Sequence, residues 1–203
     1  MNPWDCMGIS QTQWCDLSVD LRVRTAAAGY LSAGYGYDVA KPRVLWDLPD
    51  AFGTVKALEG GDRVTNCSTL TTSILTTAYP KNPWTLEDYG DLQVFADRLP
   101  ATDSPIRAVV RVGVGERVQR FIQNRWHLVQ GVSVTPKPND FSTFRGHAFL
   151  VRALPDGALL VCEATSRKDA TGKRIGPRYR TTTLADLQQQ YPADLHLAVL
   201  HGL

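Results

Sequence analysis

Two apolar segments, Gly146 to Ala153 and Ala158 to Thr165, are separated by little more than Pro155-Asp156-Gly157. Pro-Asp-Gly between two such runs is a turn signal with a mechanism. Proline presets one turn dihedral, aspartate bonds back to the chain and glycine takes the left-handed conformation. An antiparallel hairpin is therefore expected here. Trp126 to Val134 and Leu195 to Leu200 read as further strands, the first ended by Pro136. A sheet this apolar needs cover, and the N-terminal half offers helices. Between Asp16 and Ala33, Leu17, Val19, Leu21 and Val23 alternate with polar residues, but Thr25 to Ala28 and Leu31 then follow at helical spacing. A helix over Ser18 to Ser32, stopped at Gly34, is the expectation. Asn66 to Tyr79 has an N-cap residue, Leu70, Ile74 and Ala78 at helical repeat, and Pro80 as terminator. Its many threonines are poor helix formers, so tertiary packing must hold it. Thr85 to Pro100 reads as another helix, and Ser104 to Val112 as either a short helix or a strand. Gly34 to Tyr37 reads as a turn, and Lys41 to Asp62 as loop with one short strand at Val44 to Trp46. Helices followed by an antiparallel sheet make an α+β chain rather than an alternating β-α-β one.

The 203 residues suit one domain, 1–203, with 1–60 as an N-terminal extension and first helix and 61–203 as the core. With 22 Lys and Arg against 20 Asp and Glu, the chain lacks the basic excess of a dedicated nucleic-acid binder. No apolar run approaches the roughly 18 to 20 residues of a membrane-spanning helix, so no membrane insertion is expected. Met1 to Asp5 shows no cationic stretch leading into an apolar one, so synthesis in the cytoplasm without a Sec signal is expected. The cysteines, Cys6, Cys15, Cys67 and Cys162, are too scattered for a disulfide framework and contain no C-x-x-C pair, so no structural zinc is expected.

Cys67 follows the N-cap Asn66 and so falls in the first turn of a helix. Free N–H groups and the positive end of the helix dipole favour a thiolate there, and the Cys67 N–H could serve an oxyanion. Taken alone, a small core cysteine is the plainer account. His147, near the start of the G-H-A-F-L-V strand, supplies a base of near-neutral pKa, completing a minimal nucleophilic pair. Glu163 on the next strand could accept from the imidazole and fix its tautomer. The hairpin decides this by parity. A two-residue loop turns Glu163 away from the His147 face, whereas a three-residue loop brings Glu163 onto that face and sets Thr165 opposite His147. Glu163 is the choice for the third residue, with Thr165 as the alternative.

The order of these pieces resembles the papain-like cysteine hydrolases of the NlpC/P60 and CHAP type. The matching residues are A-A-A-G-Y-L-S-A-G-Y-G-Y at 26–37, N-C-S-T-L at 66–70, G-H-A-F-L-V at 146–151 and L-V-C-E-A-T at 160–165. Asn66 stands where the family usually has Asp. The resemblance implies N-terminal helices packed on a C-terminal antiparallel sheet. It implies a Cys67–His147–Glu163 arrangement, Tyr37 lining the site near the oxyanion position, and no metal or organic cofactor. It further implies cleavage of an amide in peptidoglycan stem peptides by a lysin or a secreted toxic effector. An exported toxin would have an immunity or inhibitor protein as partner. Two alternatives stay open: a protease, deamidase or acyl transferase acting on a protein, and a non-catalytic binding or assembly protein.

Other residues carry less. His127 competes with His147 as base, but Trp126 and Leu128 beside it point to a packed position. His196 and His201 read as incidental. Arg167 to Arg180 holds six positive charges and one negative, and reads as a solvated loop able to line a cleft and favour an anionic polymer or a carboxylate-bearing peptide. Trp4, Trp14, Trp46 and Trp84 look exposed and able to clamp a sugar or a partner, with core packing as the safer account.

Overall fold

A computed structural model describes residues 3–32, 36–37, 64–80, 106–112, 121–134 and 145–200. The expected helix at 85–100 and the strand at 44–46 lie outside them. The chain divides into two compact units. The first comprises 1–86, 162–178 and 202–203, the second 87–161 and 179–201.

The first unit begins with two short helices, α1 (Pro3–Cys6) and α2 (Gln11–Asp16). Ser10 and Gln13 close a reciprocal capping box over α2, which lets so short a helix form. Helix α3 (Val19–Ser32) matches the expected helix, and Ser18 Oγ accepts from the Leu21 N–H at its start. The period-two alternation lost to the helix because Val23, Ala26, Ala27 and Tyr30 form one buried stripe. Strands β1 (Gly36–Tyr37) and β2 (Val64–Thr65) pair in parallel, with Tyr37 opposite Thr65. Gly36 and Tyr37 are thus strand, where a turn was expected.

Helix α4 (Cys67–Ala78) starts at its Asn66 cap, whose side chain accepts from the Thr69 N–H at 2.9 Å. It is buried almost all round, which explains how a threonine-rich sequence is held helical. Leu70, Ile74 and Leu75 are inaccessible, and the hydroxyls of Thr71 and Ser73 are satisfied by the carbonyls of Cys67 and Thr69. The C-terminal carbonyls, which lack partners inside any helix, are met by other elements. Trp14 Nε1 donates to Thr77 O at 3.0 Å and Arg22 Nη1 to Ala78 O at 2.7 Å. The Arg22 cation sits at the negative end of the α4 dipole and also lies over the Tyr79 ring. Trp14 is therefore core, not an exposed clamp.

In the second unit, β3 (Ile106–Val112), β8 (Asp194–Leu200), β4 (Trp126–Val134) and β5 (Arg145–Ala153) form antiparallel neighbours in that order. The 106–112 segment is a strand; its run of β-branched residues outweighs the helix start read at Ser104-Pro105. From β5 the chain turns through the Pro155-Asp156-Gly157 loop into β6 (Leu159–Lys168). Strand β7 (Arg174–Thr182) and helix α5 (Leu184–Gln190) follow before β8. A helix thus interrupts the expected all-strand C-terminal half. Thr183 and Asp186 cap it reciprocally, and Leu187 plugs the sheet face made by Val129, Phe149, Val151, Leu159, Val161 and Leu195. The opposite face is buried too, since Leu128 and Leu150 have no exposure. Among the described residues no helix is long and apolar enough to cross a membrane.

His127 is part of this core. Its Nε2 accepts from the Ile122 N–H at 3.0 Å, its Nδ1 faces Val151 O at 3.4 Å, and Phe121 stands edge-on to the ring. This is a neutral imidazole with both nitrogens in use. Burial pushes its pKa down to about 4. Because the folded-state value lies below the ordinary one, the unfolded chain binds the extra proton. The stability contribution is complete above pH ~6.5 and is lost as the pH falls towards 4. Urea unfolding at pH 7 and pH 5 is expected to show a loss of about 2 kcal/mol from this residue, and His127→Gln should remove that component.

Candidate functional site

Cys67 is half-buried at the first position of α4, directly after the cap. The pairing of β1 with β2 carries Tyr37 alongside Thr65, two residues before the sulfur. The half-buried Tyr37 phenol lies against Cys67, close to both its thiol and its backbone N–H. Burial, followed by the negative charge Cys67 can carry, holds the Tyr37 phenol protonated well above the usual tyrosine range. Tyr37 thus keeps a protonated hydroxyl beside the thiol. On its other side Tyr37 accepts, through its carbonyl, a bond from Arg174 Nη1 at 3.2 Å.

Glu163, in the same unit, is 2% exposed. Arg178 Nε and Nη2 both donate to its Oε1, at 3.0 and 2.7 Å. A buried carboxylate needs such a partner to remain ionised. Arg178 could not be singled out from the sequence, because the Arg167–Arg180 segment was read as loop. It is instead the end of β6, a turn and most of β7. Thr165 is buried beside Glu163 in sequence, and its Oγ1 accepts from the Arg167 N–H.

His147 lies in the second unit, half-buried, third in β5 and opposite Gly131 of β4. Its ring stacks on Phe149, with centroids 5.2 Å apart, and lies nearly parallel to Tyr191 at 6.2 Å. Tyr191, the C-cap of α5, rests flat on Gly131, and its hydroxyl accepts from Gln190 Nε2. Nothing local in the sequence signals Tyr191 as a neighbour of His147; the two are joined only by tertiary packing.

The hairpin loop is the longer of the two alternatives. Leu154 N–H donates to Ala158 O at 2.8 Å and Gly157 N–H to Leu154 O at 3.1 Å, with Gly157 at φ 85°. Residues 155–157 are therefore the loop, and Asp156 accepts from the Ala158 N–H as a turn aspartate does. Along β6, Glu163 follows Leu159 and Val161 at period two. Of the other cysteines, Cys162 is buried, and burial, reinforced by the Glu163 charge, keeps its thiol protonated. Cys6 is exposed at the end of α1, away from any helix start. Among the described residues no three His, Cys, Asp or Glu side chains gather as a metal site requires.

Comparison with known proteins finds no family model, no curated protein and no solved structure that matches this chain.

Proposed function

We propose that the chain is a papain-like cysteine hydrolase that cleaves an amide bond, with peptidoglycan stem peptides as its substrate. The observation that carries this reading is the setting of Cys67: a thiol opening a capped helix, with the protonated hydroxyl of half-buried Tyr37 beside it. Helix N–H groups and an O–H donor both stabilise sulfur's negative charge, the state in which it attacks. In the proposed mechanism the base that takes the Cys67 proton is assigned to His147, and the carboxylate that orients it to Glu163, held by Arg178. The thiolate adds to the amide carbonyl. The incoming oxygen accepts from the Cys67 N–H and from the Tyr37 phenol. His147 protonates the leaving amine, and water, deprotonated by the same imidazole, hydrolyses the thioester.

Digestion of purified sacculi followed by mass spectrometry tests the substrate. Wild-type protein is expected to release muropeptides that Cys67→Ala does not, and identical profiles would defeat the wall-hydrolase reading. Peptide mapping after iodoacetamide treatment at pH 6 tests the thiol itself. Cys67 should be alkylated at least about tenfold faster than Cys6, and Tyr37→Phe should slow it by several-fold through loss of the O–H donor. Equal rates at Cys67 and Cys6 would mark Cys67 as an ordinary thiol.

A further inference from the structure

We infer that the β6–β7 hairpin is a cationic lip of the Cys67 site, and that the substrate it admits carries a free carboxylate close to the scissile amide. The inference deepens the hydrolase reading and rests on it for what happens to the substrate. Its test, however, needs no turnover.

Asp169 N–H donates to Lys173 O at 2.8 Å, closing a loop of residues 170–172 with Gly172 at φ 84°. One step outside this closing pair the two strands set Lys168 against Arg174, with Arg167 next along β6. Arg167, Lys168, Lys173 and Arg174 are all exposed. Like charges facing each other across a hairpin weaken it, so the fold gains nothing from this arrangement. The Asp169 carboxylate, close to Lys173, offsets only part of this charge. Among the described residues none of these four side chains is in a salt bridge, and the nearby acids are already engaged. The Asp169 carboxylate accepts from Thr171 N–H, Thr171 Oγ1 and Lys173 N–H, and Glu163 is held by Arg178.

The hairpin is also tied to the thiol. Arg174 bonds the Tyr37 carbonyl, and Tyr37 stands in register with Thr65, two residues before Cys67. Four cations against the single Asp169 carboxylate, tied through Arg174 to the Tyr37 carbonyl, create a local positive field beside Cys67. The chain as a whole has no such field, with 22 basic against 20 acidic residues. The patch therefore suits one or two carboxylates rather than a long polyanion. Guanidinium and ammonium groups together recognise a carboxylate by charge-assisted hydrogen bonds.

The test compares alkylation of Cys67 by iodoacetate, an anion, with alkylation by iodoacetamide, its neutral analogue. In both, the thiolate displaces iodide, so the rate ratio cancels the thiolate fraction and reports the local potential. Exposed Cys6 in the same sample is the reference. At low ionic strength the iodoacetate-to-iodoacetamide ratio at Cys67 should exceed that at Cys6 by about threefold or more. It should fall to the Cys6 value in ~0.5 M salt and in the triple variant R167Q/K168Q/K173Q, which leaves Arg174 on Tyr37. A ratio unchanged by the triple variant overturns the inference. A second arm measures protection of Cys67 against iodoacetamide by an acetylated dipeptide with two free carboxylates, by its diamide and by inorganic phosphate. Protection by the dicarboxylate alone supports the inference, whereas protection by phosphate alone overturns it in favour of a phosphate ligand. Loss of sacculus digestion with an intact rate ratio would sink the hydrolase reading and leave the cationic lip standing.

Discussion

Arg178→Met is expected to destabilise the protein by about 3 to 5 kcal/mol in urea unfolding at pH 7. The size follows from asymmetry. Glu163 is 2% exposed while Arg178 keeps 24% of its side chain in solvent, so removing the arginine strips the charge partner from the more deeply buried member. Both donors of the pair fall on the same oxygen, Glu163 Oε1, giving a fork that methionine cannot replace. The second arm is the double variant Arg178→Met/Glu163→Leu. Replacing a buried ion pair by apolar groups of similar size is often neutral, so the double variant should recover most of the loss. A single variant as stable as wild type would show that the pair contributes nothing. If Glu163 also orients His147, the double variant should fold yet lose hydrolysis, separating the structural role of the carboxylate from its chemical one.

What could be read from the sequence was whatever is local. The Pro155-Asp156-Gly157 turn, the Asn66 cap and the Pro80 stop depend on residues within a few positions of one another, and each stands where it was expected. The strands β4, β5, β6 and β8 were legible for the same reason, as short apolar runs, the first ended by a proline and the middle two joined by a turn. Strand β7 was not, because Gly176, at φ 72°, and Pro177 interrupt its alternation and three of its nine residues are arginines. Helix α5 hid in a short glutamine-rich stretch anchored by Leu187 and, less deeply, by Leu184, although its Thr183–Asp186 capping box was present to be seen. At the site, the place of Cys67 at a helix start was legible. The partners of its neighbours were not: Arg174 meets Tyr37 across 137 positions, and a two-residue parallel strand pair leaves no periodic trace.

Gly131→Ala should strongly destabilise the second unit. A Cβ at this position would lie 2.4 to 2.6 Å from three carbons of the Tyr191 ring, distances that real side chains do not reach. The obstacle is a ring that cannot slide aside, since Tyr191 packs within the Val129, Phe149 and Leu187 cluster and stacks on Phe149 at 5.5 Å. Its hydroxyl is also held by Gln190, itself a partner of Arg180. Overpacking so close to backbone is expected to cost about 3 kcal/mol or more. Tyr191→Ala alone should cost a similar amount by leaving a cavity. The two are coupled: once the ring is gone the added methyl meets open space, so the double variant should be no less stable than Tyr191→Ala alone. Strict additivity would mean that the glycine serves something other than the ring. Because His147 stands opposite Gly131 and stacks beside Tyr191, its imidazole signals in a proton NMR titration should move in both single variants. Such shifts would show that the Tyr191 ring fixes the plane of the His147 imidazole, so that the glycine shapes the setting of this residue as well as the core.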